Sequence, residues 1–262
     1  MNAEGDVLSL MLAPAEMNPL ALELDCPEGH LNFTELIQPE SEVSRERDLL
    51  CIGELTIRLD SAGTWDPFPD WGAARENRQR VQDLIGDITK LLIASHSPDS
   101  LVVFLNVPDS ISDSTFSGWQ KRAREPVTRL LAGLEAGDTS AVLAGASNLA
   151  GLGMGLTPSG DDFIIGVMHA LWCTTPPEEA TALCGELLKA VAPKTNRLSA
   201  SYLARSAFGE AGEVWHSLIE AMVRGDAVGI SSPVKTLIGL GHTSGQDALS
   251  GFVLGYRYAQ SQ

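Results

Sequence analysis

Residues Trp65-Asp-Pro-Phe-Pro-Asp-Trp71 divide the chain. Two prolines in seven residues cannot lie inside a helix, since each lacks an N–H and clashes with the preceding turn. Before this stretch the apolar residues form short or alternating runs, Leu20-Ala-Leu-Glu-Leu24 and Leu49-Leu-Cys-Ile-Gly-Glu-Leu-Thr-Ile-Arg-Leu59, punctuated by Pro19, Pro27, Gly29, Gly53 and Gly63. That is the patterning of strands and turns. After it the period changes. Val81, Leu84, Ile85, Ile88, Leu91 and Leu92 recur every three or four residues, which predicts an amphipathic helix from about Arg75 to Ser95. Leu101 to Leu105 reads as one more strand. Helices are expected over 116–135, with a break or kink at Pro126, and over 139–150, 159–173, 177–191, 199–208, 211–223 and 245–260. Strands first and helices afterwards argue an α+β fold, with a mostly β region at 1–74 and a mainly α-helical domain at 75–262.

The helical part holds an internal repeat. Residues 153–166 read Gly153-Met-Gly-Leu-Thr-Pro-Ser-Gly-Asp-Asp-Phe-Ile-Ile-Gly166, and residues 239–251 read Gly239-Leu-Gly-His-Thr-Ser-Gly-Gln-Asp-Ala-Leu-Ser-Gly251. Apart from the inserted Pro158 they align, and Ser159/Ser244, Asp162/Asp247 and Gly166/Gly251 are each 85 residues apart. This predicts two related units, each a glycine loop followed by a helix. Ser159 and Ser244 suit N-cap positions, each three residues before an acid in a capping-box-like pattern. The free N–H groups of each first turn, with the helix dipole, would attract an anion. Gly153, Gly155, Gly160 and Gly245 would let the backbone approach it, and Thr157, Ser159, Thr243 and Ser244 would add hydroxyl donors. Gly166 and Gly251, four residues past their acids, would let the two helices pack closely, so that their N-termini converge on one pocket.

Asp161, Asp162 and Asp247 would repel an anion there unless a cation intervenes. Mg²⁺ is the possible metal, and Arg197 or His242 could serve without one. His242 is the candidate acid–base histidine, and His169 could line the pocket or be an ordinary core histidine. In Thr195-Asn-Arg-Leu-Ser-Ala-Ser201, Ser199 or Thr195 could cap a helix, or Arg197 and Ser199 could clamp the substrate. Taken as roles, Asp162, Asp247 and His242 are the catalytic candidates. Gly153, Gly155, Thr157, Ser159, Gly160, Asp161, Arg197, Ser199, Thr243, Ser244 and Gly245 are the substrate-binding ones. No zinc spacing, phosphate-loop lysine, dinucleotide fingerprint or nucleophile elbow is present.

The chain has 262 residues and a formal charge of −16. Such acidity disfavours phosphate backbones and anionic lipid, so neither nucleic acid nor membrane is expected as a partner. Four dispersed cysteines and an acidic N-terminus without a signal pattern point to the cytoplasm. Eight of the eighteen Lys and Arg residues lie between Arg75 and Arg129, as a solvated face or a docking surface for an acidic partner.

The block Gly153-Met-Gly-Leu-Thr-Pro-Ser-Gly-Asp-Asp-Phe163, followed by Thr195, Arg197, Ser199, Gly209-Glu210 and Gly241-His-Thr-Ser-Gly-Gln-Asp247, resembles the AllH-like family, and Trp65-Asp-Pro67 fits the same pattern. The resemblance implies a subunit of oxamate carbamoyltransferase in anaerobic allantoin breakdown, exchanging oxalurate and phosphate with carbamoyl phosphate and oxamate. It carries over to Thr157, Ser159, Gly160, Asp161, Asp162, Ser244, Gly245 and Asp247, and implies partner subunits. The first 60 residues carry no motif of the family. A non-catalytic subunit that binds a small carboxylate, and a scaffold whose repeat only packs helices, are the other readings.

Overall fold

The computed structural model describes residues 7–26, 31–106 and 116–259. The fold is α+β, with the described strands before residue 59 and helices thereafter. Pro27, Gly29 and His30 lie outside the described residues.

The strand region forms two small sheets. β1 (Ser9–Leu12) pairs in parallel with β2 (Ala21–Leu24), Ser9 opposite Ala21. The link between them swings over the helical part, where Glu213 donates its N–H to the Met17 carbonyl at 2.9 Å. After one turn of helix, α1 (Phe33–Leu36), an antiparallel sheet runs in the order β3 (Val43–Glu46), β4 (Leu49–Ile52), β5 (Leu55–Arg58). Leu55 and Ile57 point inward and Thr56 and Arg58 outward, the two-residue alternation of a half-buried strand. With Leu24 they are the buried residues of a small separate core.

The double-proline stretch is irregular and ends where Asp70 caps α2 (Trp71–Glu76), its carboxylate accepting the Ala73 N–H at 2.8 Å. The helix expected from Arg75 to Ser95 is divided at Asn77, so that α3 (Arg78–Ser95) follows α2 and buries Val81, Leu84, Ile85, Ile88 and Leu92. One expectation fails next. Leu101–Asn106 is a 3₁₀ helix, not a strand. It joins neither of the two described sheets, and the Leu101 N–H goes to the Asp247 carboxylate. α4 (Gly118–Ala136) runs through Pro126. Burial of Val127, Leu130, Leu131 and Leu134 against the rest of the core offsets the roughly 3 kcal/mol that an interior proline costs.

The remaining helices are α5 (Thr139–Leu149), α6 (Ser159–Thr174), α7 (Pro177–Val191), α8 (Arg197–Ala207), α9 (Glu213–Arg224), α10 (Ser231–Ile238) and α11 (Ser244–Ala259). α10 was not expected; it is short and carries Pro233, yet Pro233, Val234 and Leu237 are buried. α6 and α11 form the centre, apolar around most of their circumference as buried helices are. They cross at Gly166 and Gly251. A Cβ at Gly166 would lie 1.8 Å from the Ala248 carbonyl oxygen, and one at Gly251 would lie 1.9 Å from that of Phe163. No helix of the described residues is long and apolar enough to cross a membrane.

Candidate functional site

The two glycine loops meet where α6 and α11 begin. Gly153 has φ of +116°, a conformation that a side chain would strain, and a Cβ there would also strike the Ser159 amide. The serines are not the caps. The Asp162 N–H bonds to the Pro158 carbonyl at 3.2 Å and the Asp247 N–H to that of Thr243 at 2.8 Å. Ser159 and Ser244 are therefore the first residues of their helices. Their hydroxyls turn to the opposite loop instead. Thr157 Oγ1 and Ser244 Oγ are 2.9 Å apart, and Ser159 Oγ and Thr243 Oγ1 are 3.4 Å apart. The expected free first-turn amides are partly consumed, since Gly160 N–H donates to the Leu152 carbonyl and Gly245 N–H to that of Leu240.

The three acids behave differently. Asp161 ties the loop down: Oδ1 accepts the Gly151 N–H at 2.9 Å and Oδ2 accepts the Thr195 hydroxyl. Burial raises its carboxyl, and the bonds from Thr195, Gly151 and Ser199 oppose the rise. Asp162 and Asp247 lie behind the crossed hydroxyls, and in each case Oδ2 is buried with no hydrogen-bond partner of normal geometry. Burial drives the Asp162 carboxyl well above the usual range, the Asp247 charge pushes the same way, and the hydroxyls of Ser244 and Thr157 pull against both. Asp247 is fully enclosed. Burial pushes it up to about 7, against the Leu101 N–H and the hydroxyls of Ser159 and Thr243. Among the described residues no three His, Cys, Asp or Glu side chains gather into a metal site.

The crossed hydroxyls stand between two cavities. The outer one, about 560 Å³, is lined by the tip of the first loop, by Thr157, Ser159, His242, Thr243 and Ser244, and by Asp99, Ser117 and Trp119. The inner one, about 370 Å³, reaches Asp162, His169, Tyr202, Arg205 and Glu210, with Thr157, Gly241, Ser244 and Gly245 on the shared side. The spacing of residues gave no notice of Asp99, Ser117, Trp119, Tyr202 or Arg205, which come from separate elements. Gly153, Gly160, Asp161, Arg197, Ser199 and Asp247 line neither cavity. Arg197 is exposed at the start of α8, whose cap is Asn196 rather than Thr195 or Ser199; its carboxamide oxygen accepts the Ser199 N–H at 3.1 Å. His169 is buried between Trp71 and Trp215, at ring distances of 5.6 and 4.7 Å.

Residues 149–256 match the family model of the oxamate carbamoyltransferase subunit AllH. Over those residues the chain is AllH-like. No solved structure matches the chain. The AllH stretch runs from the end of α5 to α11 and takes in both glycine loops, both aspartates, His169 and His242. It leaves out Trp65-Asp-Pro67, the strand region, and the Asp99, Ser117 and Trp119 edge of the outer cavity.

Proposed function

We propose that this protein is a subunit of a carbamoyltransferase that handles small anions, carbamoyl phosphate with oxamate or oxalurate with phosphate, in purine nitrogen breakdown in the cytoplasm. The observation that carries the reading is the pair of helix N-termini brought to one cavity wall by crossed hydroxyls, inside the AllH-like stretch. Two helix dipoles aimed at one place stabilise negative charge, and Thr157, Ser159, Thr243 and Ser244 can donate to phosphate or carboxylate oxygens. His242, exposed on the outer cavity, is placed to exchange a proton with the bound group. The Asp162 carboxyl, which burial drives well above the usual range, can in its protonated form donate to an oxygen that gains charge during transfer. Asp247 touches neither cavity and acts by orienting Ser159 and Thr243. Met154 and Leu156, 80% and 79% exposed at the loop tip beside the outer cavity, offer an apolar surface for a partner subunit.

The same reading takes the two loop-and-helix units as copies of one unit packed about a local two-fold axis. Its support is reciprocity. Thr157 meets Ser244 as Thr243 meets Ser159, and Gly166 meets Ala248 as Gly251 meets Phe163, at the sequence offset of 85 from Phe163 to Ala248. Contacts that read i to j and j to i are the mark of a two-fold interface.

Turnover of carbamoyl phosphate with oxamate, with the partner subunits present, tests the assignment. Asp162→Asn, which keeps shape and loses the acid, is expected to lower kcat about 100-fold. Full activity in that variant would remove Asp162 from the mechanism. The enclosure of Asp247 favours one second reading, a subunit that binds the small carboxylate without doing chemistry. It predicts that pocket substitutions abolish oxamate binding by calorimetry and leave turnover by the complex intact.

A further inference from the structure

We propose that the inner cavity is a binding site for an uncharged ligand, one with an amide-type head on an apolar body. Its walls come from four places: α6, α8 to α9, the α10–α11 corner, and the β1–β2 link. Met11, Met17, Pro19, Ile165, Trp215 and Leu237 make most of the surface apolar. A volume of about 370 Å³ falls within the range of small-molecule sites.

The polar groups set the ligand class. The Glu210 backbone interacts with the His169 ring and the Ser244 and Thr157 hydroxyls with Asp162, yet neither ring nitrogen of His169, a fully buried side chain on the cavity wall, nor Asp162 Oδ2 has a hydrogen-bond partner of normal geometry. Buried polar groups are normally satisfied, so orphans on a cavity wall mark where a ligand's polar atoms belong. The two tryptophans hold the ring, and burial lowers the imidazole to about 4, so it presents one donor and one acceptor. Asp162, whose carboxyl burial drives well above the usual range, adds a further polar group to the wall. An amide offers the complementary pair of groups without charge.

An anion is excluded by the same walls. The cation lining the cavity, Arg205, is already paired with Glu210 at 3.5 Å. Glu213 adds a further carboxylate, committed to the Met17 N–H at 3.2 Å. A second negative charge would lose its hydration and gain no compensating partner. Asp162 and His169 are seven residues apart on α6, a rise of about 10 Å, so one amide head meets only one of them, and it is assigned to His169, whose ring offers both a donor and an acceptor. The inference shares Asp162 with the anion reading of the outer cavity but rests on His169, and phosphate binding, followed by ³¹P NMR, tests the anion reading alone.

Hexanamide and hexanoate make a matched pair, alike in body and different in charge. Titrated into the full-length protein at pH 7 and followed by tryptophan fluorescence, which Trp215 reports, hexanamide is expected to saturate and hexanoate to bind at least about tenfold more weakly. His169→Phe keeps the ring stacking and loses the hydrogen bonds; it is expected to weaken hexanamide about tenfold and to leave phosphate binding unchanged. Should that variant fail to fold, Met17→Trp on the β1–β2 link fills the cavity from outside the helical core and is expected to weaken hexanamide to the same degree. Hexanoate binding as tightly as hexanamide, hexanamide failing to bind, or a folded variant binding it as the parent does would each overturn the proposal.

Discussion

At Asp247 a carboxylate oxygen is buried with no partner at bonding geometry, and its other oxygen holds the Leu101 N–H at 2.6 Å. The carboxyl is raised from 3.8 to about 7 by that burial. The folded state therefore binds more protons than the unfolded state between those two values, and its stability falls as pH rises through the window. The displacement corresponds to a few kcal/mol, on the order of 4 at most. Asp247→Asn removes the titration and keeps an oxygen for Leu101. Denaturant unfolding of both proteins at pH 5 and pH 8 is expected to show the parent losing stability relative to the variant at the higher pH. Parallel curves would mean that Asp247 is ionised without cost. His169 has the opposite sign, since a base held neutral down to about 4 loses its contribution as pH falls from 6.5. It is common to both proteins and cancels in the comparison.

Among the elements, α6 and α11 decide the rest, because their crossing sets where their N-termini point. That crossing depends on two missing methyl groups. Gly166→Ala would put a Cβ 1.8 Å from the Ala248 carbonyl oxygen, a backbone atom that cannot rotate away. The expected cost is about 3 kcal/mol or more, measured by denaturant unfolding, with loss of phosphate binding as the loops part. Gly86→Ala is the control, since a Cβ there meets nothing within 4 Å. Equal stability of the two variants would show that the helices do not cross as described. These glycines were legible in the sequence because a mid-helix glycine needs a reason and the same one occurred twice. Pro126 does not break α4, because the rule that prolines end helices is local and packing can override it. Leu101–Leu105 has the composition of a strand, but what fixed it was an acid 146 residues away. The hydroxyls and acids of the site were legible because they lie on two glycine loops of similar sequence. Tyr202, Arg205 and Glu210 were not singled out as pocket residues, because each sits in a segment whose pattern is that of any amphipathic helix or its end, and only tertiary packing turns them to one cavity.

For the whole molecule, the two cores are unequal. The helical core is continuous from Trp71 to Tyr256, while the small cluster of the strand region has Leu24, Leu55 and Ile57 as its buried residues. Its outer strand β3 is exposed throughout, and four-residue strands offer few ladder bonds. So little buried apolar surface cannot sustain the stability of the larger core, and the β3–β4–β5 sheet is expected to open on its own. The β1–β2 link is a different case, because Met17 bonds to Glu213 in both directions and lies on the inner cavity. Native-state hydrogen exchange separates the two. Amides of β4 and β5 are expected to exchange through an opening at least about 2 kcal/mol easier than that of α6 and α11. The Glu213 amide, which donates to Met17, is expected to become more protected when the inner cavity is filled by hexanamide. Uniform protection across sheet and helices would show one cooperative unit.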